Sequence, residues 1–232
     1  MSSTDPAPLS GKVPPVVVFD VGGVLAVDPI GPLDAYCASV GIASSMEPYF
    51  RGDADFAALE VGELGLREWF GGFLRRVEAE HGVRLDVQAV AEALREARAL
   101  RPEMIELVAE LMQHHRIAVL TNNTAANDDF LVDMFQRGAP GGLPAGAVDL
   151  ICNSAALKLR KPDPGIYAEL LRRLDCPAAD VVFVDDFAEN LPPAQELGIR
   201  TIHFSDPAQC RRELAALGAR VSADPPARAN AR

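Results

Sequence analysis

Five short runs of β-branched and apolar residues constrain the fold of this chain more than any other feature. Each run is continuous rather than alternating, which is typical of strands that are buried on both faces of a parallel sheet. Helical patterns separate the runs, so the sequence predicts a doubly wound, Rossmann-like α/β fold with right-handed crossovers. The runs are Val16 to Asp20, Ile117 to Thr121, Asp149 to Asn153, Val181 to Asp185 and Arg200 to Phe204, and the clearest helices are Pro102 to His115 and Pro162 to Asp175.

One connection between these runs is much longer than a crossover requires. About a hundred residues separate the first run from the second, whereas most connections in compact domains have only a few. They leave the sheet at the carboxyl end of its first strand, where ligands bind in this architecture. We therefore expect a helical cap over the active site; a separate domain unrelated to the site is the alternative. The expected helices lie around Leu33 to Val40, Met46 to Leu59, Leu66 to His81 and Val87 to Leu100.

These patterns predict a discontinuous α/β core at residues 15–28 and 101–220, with the helical cap at residues 29–100. The two ends, residues 1–14 and 221–232, are rich in Pro, Ser and Ala. Segments of this composition bury too little apolar surface to order themselves, so both ends are expected to be disordered tails.

The composition argues against several classes of function. The chain has 22 basic and 33 acidic residues, a net charge of −11, and no basic cluster, so nucleic acid is not an expected partner. The N-terminal segment lacks a signal-peptide pattern and no apolar stretch could span a bilayer, so no membrane association is expected. The four cysteines are dispersed, which fits a cytoplasmic location better than a disulfide framework. An anionic substrate must therefore be bound by a local site.

Polar residues follow two of the predicted strands directly. Asp20 ends the first run and is followed by Gly22 and Gly23, which let backbone N–H and C=O groups approach a ligand closely. Thr121 and Asn122 end the second run, where the start of a helix could bind a phosphate oxygen. Each feature also has an ordinary interpretation, as a turn residue or a helix cap.

An acidic pair and a lysine follow later in the chain. Asp185 and Asp186 end the buried run VVFV, where two adjacent carboxylates repel each other unless a cation lies between them. Oxygen ligands with a partly hydrated shell are what Mg²⁺ prefers. Lys161 precedes Pro162 at the entrance of a helix and could supply the positive charge that offsets a phosphate. The ordered set therefore indicates a site for phosphoryl transfer.

The segments that contain these residues resemble the four motifs of the haloacid dehalogenase superfamily of hydrolases, in the branch with a helical cap. The segments are FDVGGVL, VLTNN, RKPDPGIY and VFVDDFAENLPPAQELGI. The resemblance implies that Asp20 is the nucleophile and forms a phosphoaspartyl intermediate. It also implies that Thr121 and the backbone of Asn122 hold the phosphoryl group, and that Lys161 balances the charge between nucleophile and phosphate.

The resemblance further implies the protein ligands of a Mg²⁺ ion. Asp20 and Asp186 would bind the ion directly, Asp185 would act through water, and the backbone carbonyl of Gly22 would complete the set. Asn190 would brace the loop of the fourth motif, although an ordinary helix-turn role fits it equally well.

Gly22 departs from the pattern of most phosphatases of this superfamily, which carry an aspartate there to transfer protons. The sequence leaves three outcomes open. The first is a Mg²⁺-dependent phosphatase in which water, the substrate or another group such as Asp28 supplies the proton. The second is a metal-independent 2-haloacid dehalogenase, which the retained pair Asp185 and Asp186 disfavours. The third is a binding or regulatory protein with weakened catalysis.

The first outcome is favoured, because positioning and charge neutralisation carry most of phosphoryl transfer. The expected substrate is a small phosphorylated metabolite, such as a sugar phosphate, and a homodimer is one assembly that the sequence leaves open. Arg51, Glu60, Trp69 and Arg75 are candidates for substrate contact from the cap. Trp69 lies in an aromatic cluster, and such clusters more often pack a core.

Overall fold

The computed structural model describes residues 15–96, 99–124, 131 and 147–222. Five strands form one sheet in the order β3-β2-β1-β4-β5, and every pairing between neighbours is parallel. The carboxyl ends of all five strands therefore meet at one edge of the sheet, which is called the sheet edge below. The predicted strands are confirmed as β1 Val16–Phe19, β2 Ile117–Thr121, β3 Leu150–Asn153, β4 Val181–Asp185 and β5 Arg200–His203.

Helices cover both faces of the sheet, as a doubly wound α/β fold requires. Val17 and Phe19 of β1 belong to one apolar cluster, together with helices α5 (Pro102–Leu111) and α9 (Pro207–Ala216). Val16 and Val18 belong to the cluster on the other face, together with α7 (Pro164–Leu174) and α8 (Leu191–Glu196). Because successive side chains of a strand point to opposite faces, a continuous apolar run fills both clusters.

Four helices follow β1 and share a third apolar cluster, which is separate from the two that cover the sheet. Trp69 stacks on Phe73 at its centre, with ring centroids 5.6 Å apart. We call residues 29–100 the helical insertion. Its helices are α1 Ile30–Ser39, α2 Ala54–Glu60, α3 Leu66–His81 and α4 Val87–Glu96.

Two of the expected helices in the insertion differ from those observed. The pattern from Met46 to Leu59 divides into a 3-10 turn, Glu47–Tyr49, and helix α2. Gly52 adopts a φ of +73°, and the side chain of Asp53 caps α2 by accepting a hydrogen bond from the Phe56 backbone N–H at 2.9 Å. The last helix is described as far as Glu96 and does not include Leu100, which instead forms an antiparallel bridge with Ala26.

The segments predicted to be tails lie almost entirely outside the described residues, which begin at Pro15 and end at Ser222. The backbone N–H of Ser222 donates to Glu110 Oε1 at 2.8 Å. A short helix, α6 (Ser154–Leu157), follows β3 directly. Within the described ranges no helix combines the length and the apolar character needed to cross a membrane.

Candidate active site

Three carboxylates converge at the sheet edge. Asp20, Asp185 and Asp186 each offer one oxygen, and these oxygens all lie within 4.8 Å of one another. The convergence follows from the pairing of neighbouring strands, since Phe19 lies opposite Val184 and both chains continue to the edge. The sequence interpretation that places these three residues together is consistent with this geometry.

Lys161 lies between two of these carboxylates. Its Nζ atom is 2.9 Å from Asp20 Oδ1 and 2.6 Å from Asp185 Oδ2, and its side chain is only 1% exposed. The backbone of Lys161 is held by the side chain of Asn122, which accepts from its N–H at 2.9 Å and donates to its carbonyl at 3.1 Å. The end of β2 therefore fixes the position of the ammonium group.

The two adjacent aspartates have different surroundings. Oδ1 of Asp185 accepts from the Phe187 backbone N–H at 2.8 Å and from Asn190 Nδ2 at 2.9 Å, while Oδ2 accepts from Lys161 and again from Asn190. Oδ1 of Asp186 is buried, and none of the described residues hydrogen-bonds to it. An unpaired buried carboxylate oxygen is costly, so Asp186 is the member of the pair that is free to bind a cation.

A turn after β1 brings the backbone close to Asp186. Gly23 has a φ of +77°, and a Cβ atom there would lie 2.1 Å from Asp186 Oδ2, so only glycine fits. Gly22 has φ −66° and ψ 131°, and a Cβ atom there would meet no atom within 4 Å. The backbone N–H of Val21 donates to Asp20 Oδ1 at 2.7 Å and so fixes that carboxylate.

Burial and mutual repulsion change the proton affinities of these groups. Burial raises the pKa of Asp20 to about 7; the charges of Asp185 and Asp186 also raise it, and Lys161 opposes the change. Burial and the charge of Asp185 raise the pKa of Asp186 to about 6. Burial alone would lower the pKa of Lys161, but the two carboxylates beside it raise that pKa above its usual value. The cluster thus carries more negative charge than Lys161 offsets.

The remaining predicted residues occupy different positions at the edge. Thr121 is the last residue of β2 and is buried, and its hydroxyl lies 3.4 Å from the Asn122 carbonyl. Asn190 braces Asp185, as the resemblance implies, and Tyr167 supports it by donating from its hydroxyl to the Asn190 carbonyl at 2.7 Å. The sequence interpretation gave Tyr167 no role beyond the apolar stripe of its helix.

The helical insertion lies against the sheet edge and encloses a cavity of about 190 Å³ with it. Asp20, Gly22, Lys161 and Asp186 form its floor. Three side chains join the end of α2 to the opposite side of the cavity. Arg160 binds Glu60, the Ser154 hydroxyl donates to the Glu60 carbonyl at 2.6 Å, and Lys158 Nζ donates to the Val61 and Gly62 carbonyls at 2.9 and 3.0 Å.

Two of the four residues expected to contact substrate from the cap line this cavity. They are Arg51, whose guanidinium lies 3.7 Å from the centre of the Phe187 ring, and Glu60. Trp69 instead packs in the core of the insertion, and Arg75 is not among the described residues that line the cavity. Burial raises the pKa of Glu60, and the charge of Arg160 opposes this.

Arg160 is a cavity residue that the sequence interpretation missed. Its Nε and Nη2 atoms lie 2.8 and 2.7 Å from Glu60 Oε2. Arg160 directly precedes Lys161 in the segment RKPDP, and this position could have identified it as a residue of the site. The partner is 100 residues away in the chain, so the pairing had no local signal at all.

Comparison with known proteins matches this chain to the sequence model of the haloacid dehalogenase-like hydrolases over residues 14–198. The chain is 27% identical over 213 residues to bifunctional epoxide hydrolase 2 of Sus scrofa, covering 85% of this chain and 37% of that protein. It is 26% identical over 203 residues to the protein CbbY of Cupriavidus necator, covering 80% of this chain and 76% of that one.

Solved structures share the fold. A HAD-family enzyme of Bacteroides thetaiotaomicron, in complex with magnesium and inorganic phosphate, aligns with a TM-score of 0.61 at 20% identity, over 84% of this chain and 95% of that one. An L-2-haloacid dehalogenase aligns with a TM-score of 0.58 at 21% identity, over 93% of this chain and 91% of that one. The family match covers most of the chain and includes Asp20, Lys161, Asp185 and Asp186, so this chain belongs to the haloacid dehalogenase-like hydrolases.

Proposed function

We propose that this protein is a Mg²⁺-dependent phosphatase that hydrolyses a small phosphomonoester through an aspartyl-phosphate on Asp20. The observation that carries the proposal is the unequal acidic pair at the end of β4. Asp185 is saturated with hydrogen bonds, whereas the buried Oδ1 of Asp186 has no donor among the described residues. A hydrolase that uses only a nucleophilic aspartate has no need of that second, unpaired carboxylate.

The residues at the sheet edge fit a Mg²⁺ ion. The carboxylates of Asp20 and Asp186 supply oxygen ligands of the kind that Mg²⁺ prefers. Gly22 lines the cavity floor, and its backbone carbonyl would be the third oxygen ligand. These three residues would hold the ion, with Asp185 acting as the group that fixes Lys161 and the loop. When bound, the ion would neutralise the negative charge of the phosphate and of the carboxylates.

Phosphoryl transfer by these residues requires Asp20 to attack the phosphorus while the leaving oxygen departs. Lys161 touches Asp20 and would hold the nucleophile and the phosphate at one place despite their like charges. Thr121 and the backbone of Asn122 would orient the phosphoryl oxygens. Because Gly22 carries no side chain to protonate the leaving group, esters of weakly basic alcohols or phenols should react fastest.

We also propose that residues 29–100 act as a cap. They enclose the cavity above Asp20, and α2 is joined to the sheet edge by contacts of Ser154, Lys158 and Arg160. A cap in this place would exclude bulk water during the transfer and would present the side chains that select the leaving group.

One observation favours a second candidate, a metal-independent 2-haloacid dehalogenase. Gly22 stands where most phosphatases of the superfamily carry the aspartate that transfers protons. Dehalogenases of the superfamily also lack an aspartate at that position. In that case Asp20 would displace a halide and form an ester with the acid. The unpaired Asp186 has no purpose in this chemistry.

A substrate panel with and without a chelator separates these candidates. We expect phosphate release from phenyl phosphate and from small sugar phosphates only when Mg²⁺ is present, and none from Asp20→Asn. Asp55→Asn is the matched control, because Asp55 is exposed on α2 and does not line the cavity. Halide release from a 2-haloacid in the presence of chelator would establish the dehalogenase instead.

A third result is also informative. If the folded protein binds Mg²⁺ or orthovanadate but releases neither phosphate nor halide, the phosphatase proposal is wrong and the chain is a binding protein built on a hydrolase fold.

A further inference from the structure

We infer that the cavity selects an uncharged, apolar leaving group and discriminates against substrates that carry a second anionic group. The inference rests on the proposed phosphatase function and specifies its substrate class. It ranks esters of apolar alcohols and phenols above the sugar phosphates that the sequence analysis named as an example.

Six apolar side chains line the cavity beside the charged groups. Three of them are aromatic, and two of those, Phe50 and Phe56, stand 5.0 Å apart between ring centroids on the helical insertion. Phe187 faces them from the loop after β4. Apolar surface of this kind gains about 25 cal/mol per Å² when a ligand covers it. The apolar lining residues are Pro29, Ile30, Phe50, Phe56, Pro162 and Phe187.

The cations of the lining already have carboxylate partners. Arg160 is bound to Glu60, whose side chain is only 9% exposed. Arg51 lies over the Phe187 ring and binds Glu47 at 2.8 Å, with Asp28 at 4.0 Å. A second phosphate or a carboxylate on the substrate would have to displace one of these partners and leave it without a counterion.

The charge balance of the lining has the same consequence. Besides Asp20, Asp186 and Lys161, the described lining residues include three carboxylates, Asp28, Glu60 and Glu189, against the two guanidinium groups. Acidic groups in excess repel an additional anion, and such repulsion contributes to selectivity as much as a favourable contact does.

The neutral polar side chains of the cavity lining already have hydrogen-bond partners. Among the described residues that line the cavity, the neutral polar side chains are those of Asn122 and Asn190. Asn122 is bound to both backbone groups of Lys161, and Asn190 is bound to both oxygens of Asp185. The hydroxyl groups of a polyol would therefore depend on the charged side chains of the lining, and a hydroxyl that displaces one of their ion pairs gains little affinity.

Esters of one phenol series test the inference directly. For phenyl, 4-ethylphenyl and 4-butylphenyl phosphate with Mg²⁺, we expect kcat/KM to rise by up to about fourfold per added methylene, because each fully buried CH₂ contributes about 0.8 kcal/mol. For 4-carboxyphenyl phosphate we expect kcat/KM at least about tenfold below that of the 4-ethyl ester, since its carboxylate enters an acidic, apolar space.

Ile30→Lys should change this selectivity in a predictable direction. Ile30 is half-buried at the start of α1 and lines the cavity, so a lysine there adds an unpaired cation to the wall. We expect the preference for the 4-ethyl over the 4-carboxy ester to fall by tenfold or more. Val87→Lys is the matched control, because Val87 is 54% exposed on α4 and away from the cavity. It should leave the ratio unchanged.

Binding of the corresponding 4-alkylphenyl phosphonates, measured by calorimetry, separates this inference from the proposed function. If the wild-type protein hydrolyses all the esters equally fast, or prefers the 4-carboxy ester, the inference is wrong while the phosphatase stands. If no ester is hydrolysed but phosphonate affinity rises with alkyl length, the phosphatase proposal is wrong while the selectivity stands. Equal affinity for all phosphonates contradicts the inference even if Ile30→Lys does not fold.

Discussion

The sheet edge and the wall of the helical insertion face each other across one cavity but are built in different ways. At the sheet edge, Asp20, Lys161 and Asp185 are buried and linked by short contacts of 2.9 and 2.6 Å. Each stands at or near the end of a strand or the start of a helix. On the opposite wall, Phe50 and Phe56 are placed by aromatic packing within the insertion and make no such charged contacts with the edge.

The difference separates the two tasks of the site. The strand ends and their hydrogen bonds fix the positions of the charged side chains closely, as catalysis requires. Packing places the apolar groups, and packing tolerates exchange of side chains of similar volume. Changes at the sheet edge should therefore alter kcat and metal binding, whereas changes in the wall should alter KM and the choice of substrate.

The largest effect should come from adding a proton carrier to the sheet edge. Gly22→Asp fits without a clash, because its φ and ψ are ordinary and no atom lies within 4 Å of its Cβ position. We expect turnover of simple alkyl phosphates, which are poor leaving groups, to rise by roughly 10²- to 10⁴-fold. Gly31→Asp, on the exposed first turn of α1, is the control. No gain would mean that the site already transfers the proton in another way.

Single substitutions of Asp185 and Asp186 should have different effects. Asp186→Asn should weaken Mg²⁺ binding by about 100-fold, since it removes a direct oxygen ligand. It should not lower the free energy of unfolding of the metal-free protein, because the carboxylate that it replaces is unpaired and is repelled by Asp185. Asp185→Asn should lower the free energy of unfolding by about 3–5 kcal/mol, because Lys161 then loses one of its two buried counterions. Calorimetry and chemical denaturation measure the two quantities. The reverse pattern would contradict the assignment of roles.

Much of the sheet edge could be predicted from the sequence because its residues follow continuous apolar runs. Asp20 and the pair after Val184 stand where parallel strands end at one edge, which the strand pattern predicts, whereas the pairing of β1 with β4 that brings them together came from the structure. Asn122 was predicted to act through its backbone, yet its side chain also clamps the backbone of Lys161. That contact depends on the geometry of the turn after β2, which the pattern of apolar residues does not predict.

The wall could be predicted only in part. The helical character of the insertion is evident, but the break at Gly52 and Asp53 overrides an apolar periodicity that runs from Met46 to Leu59. The Glu60 and Arg160 pair joins residues far apart in the chain, and the choice between packing and substrate contact for Trp69 depended on the tertiary structure. The arrangement of the wall therefore needed the structure, whereas the positions of the charged residues at strand ends largely did not.

The pH dependence of Mg²⁺ binding should report on the sheet edge. In the metal-free protein the pKa values of Asp20 and Asp186 are raised to about 7 and about 6, so protons compete with the ion as the pH falls. We expect Mg²⁺ affinity to be constant above about pH 8 and to fall by about tenfold per pH unit for each proton taken up below these values. Asp186→Asn should show a shallower slope. Affinity that is independent of pH from 5 to 8 would contradict the account.

The smallest effect should come from the wall. Glu60→Gln removes the counterion of Arg160 but keeps the backbone contacts of Ser154 and Lys158 with the end of α2. We expect KM for phenyl phosphate to change by a few-fold with kcat nearly unchanged, because this pair lies in the wall and not among the charged groups of the sheet edge. Glu63→Gln, an exposed residue just beyond α2, is the control. A large loss of kcat would mean that Glu60 acts in the chemistry itself.

The central claim, that Asp20 carries the phosphoryl group, is tested most directly by trapping the intermediate. The protein is mixed with phenyl phosphate and Mg²⁺, quenched in acid within milliseconds, digested and analysed by mass spectrometry. We predict one phosphoryl group on the peptide that contains Asp20, absent in Asp20→Asn and absent when chelator replaces Mg²⁺. Phosphate release by the wild-type protein with no phosphorylated peptide, or with undiminished release by Asp20→Asn, would contradict the claim.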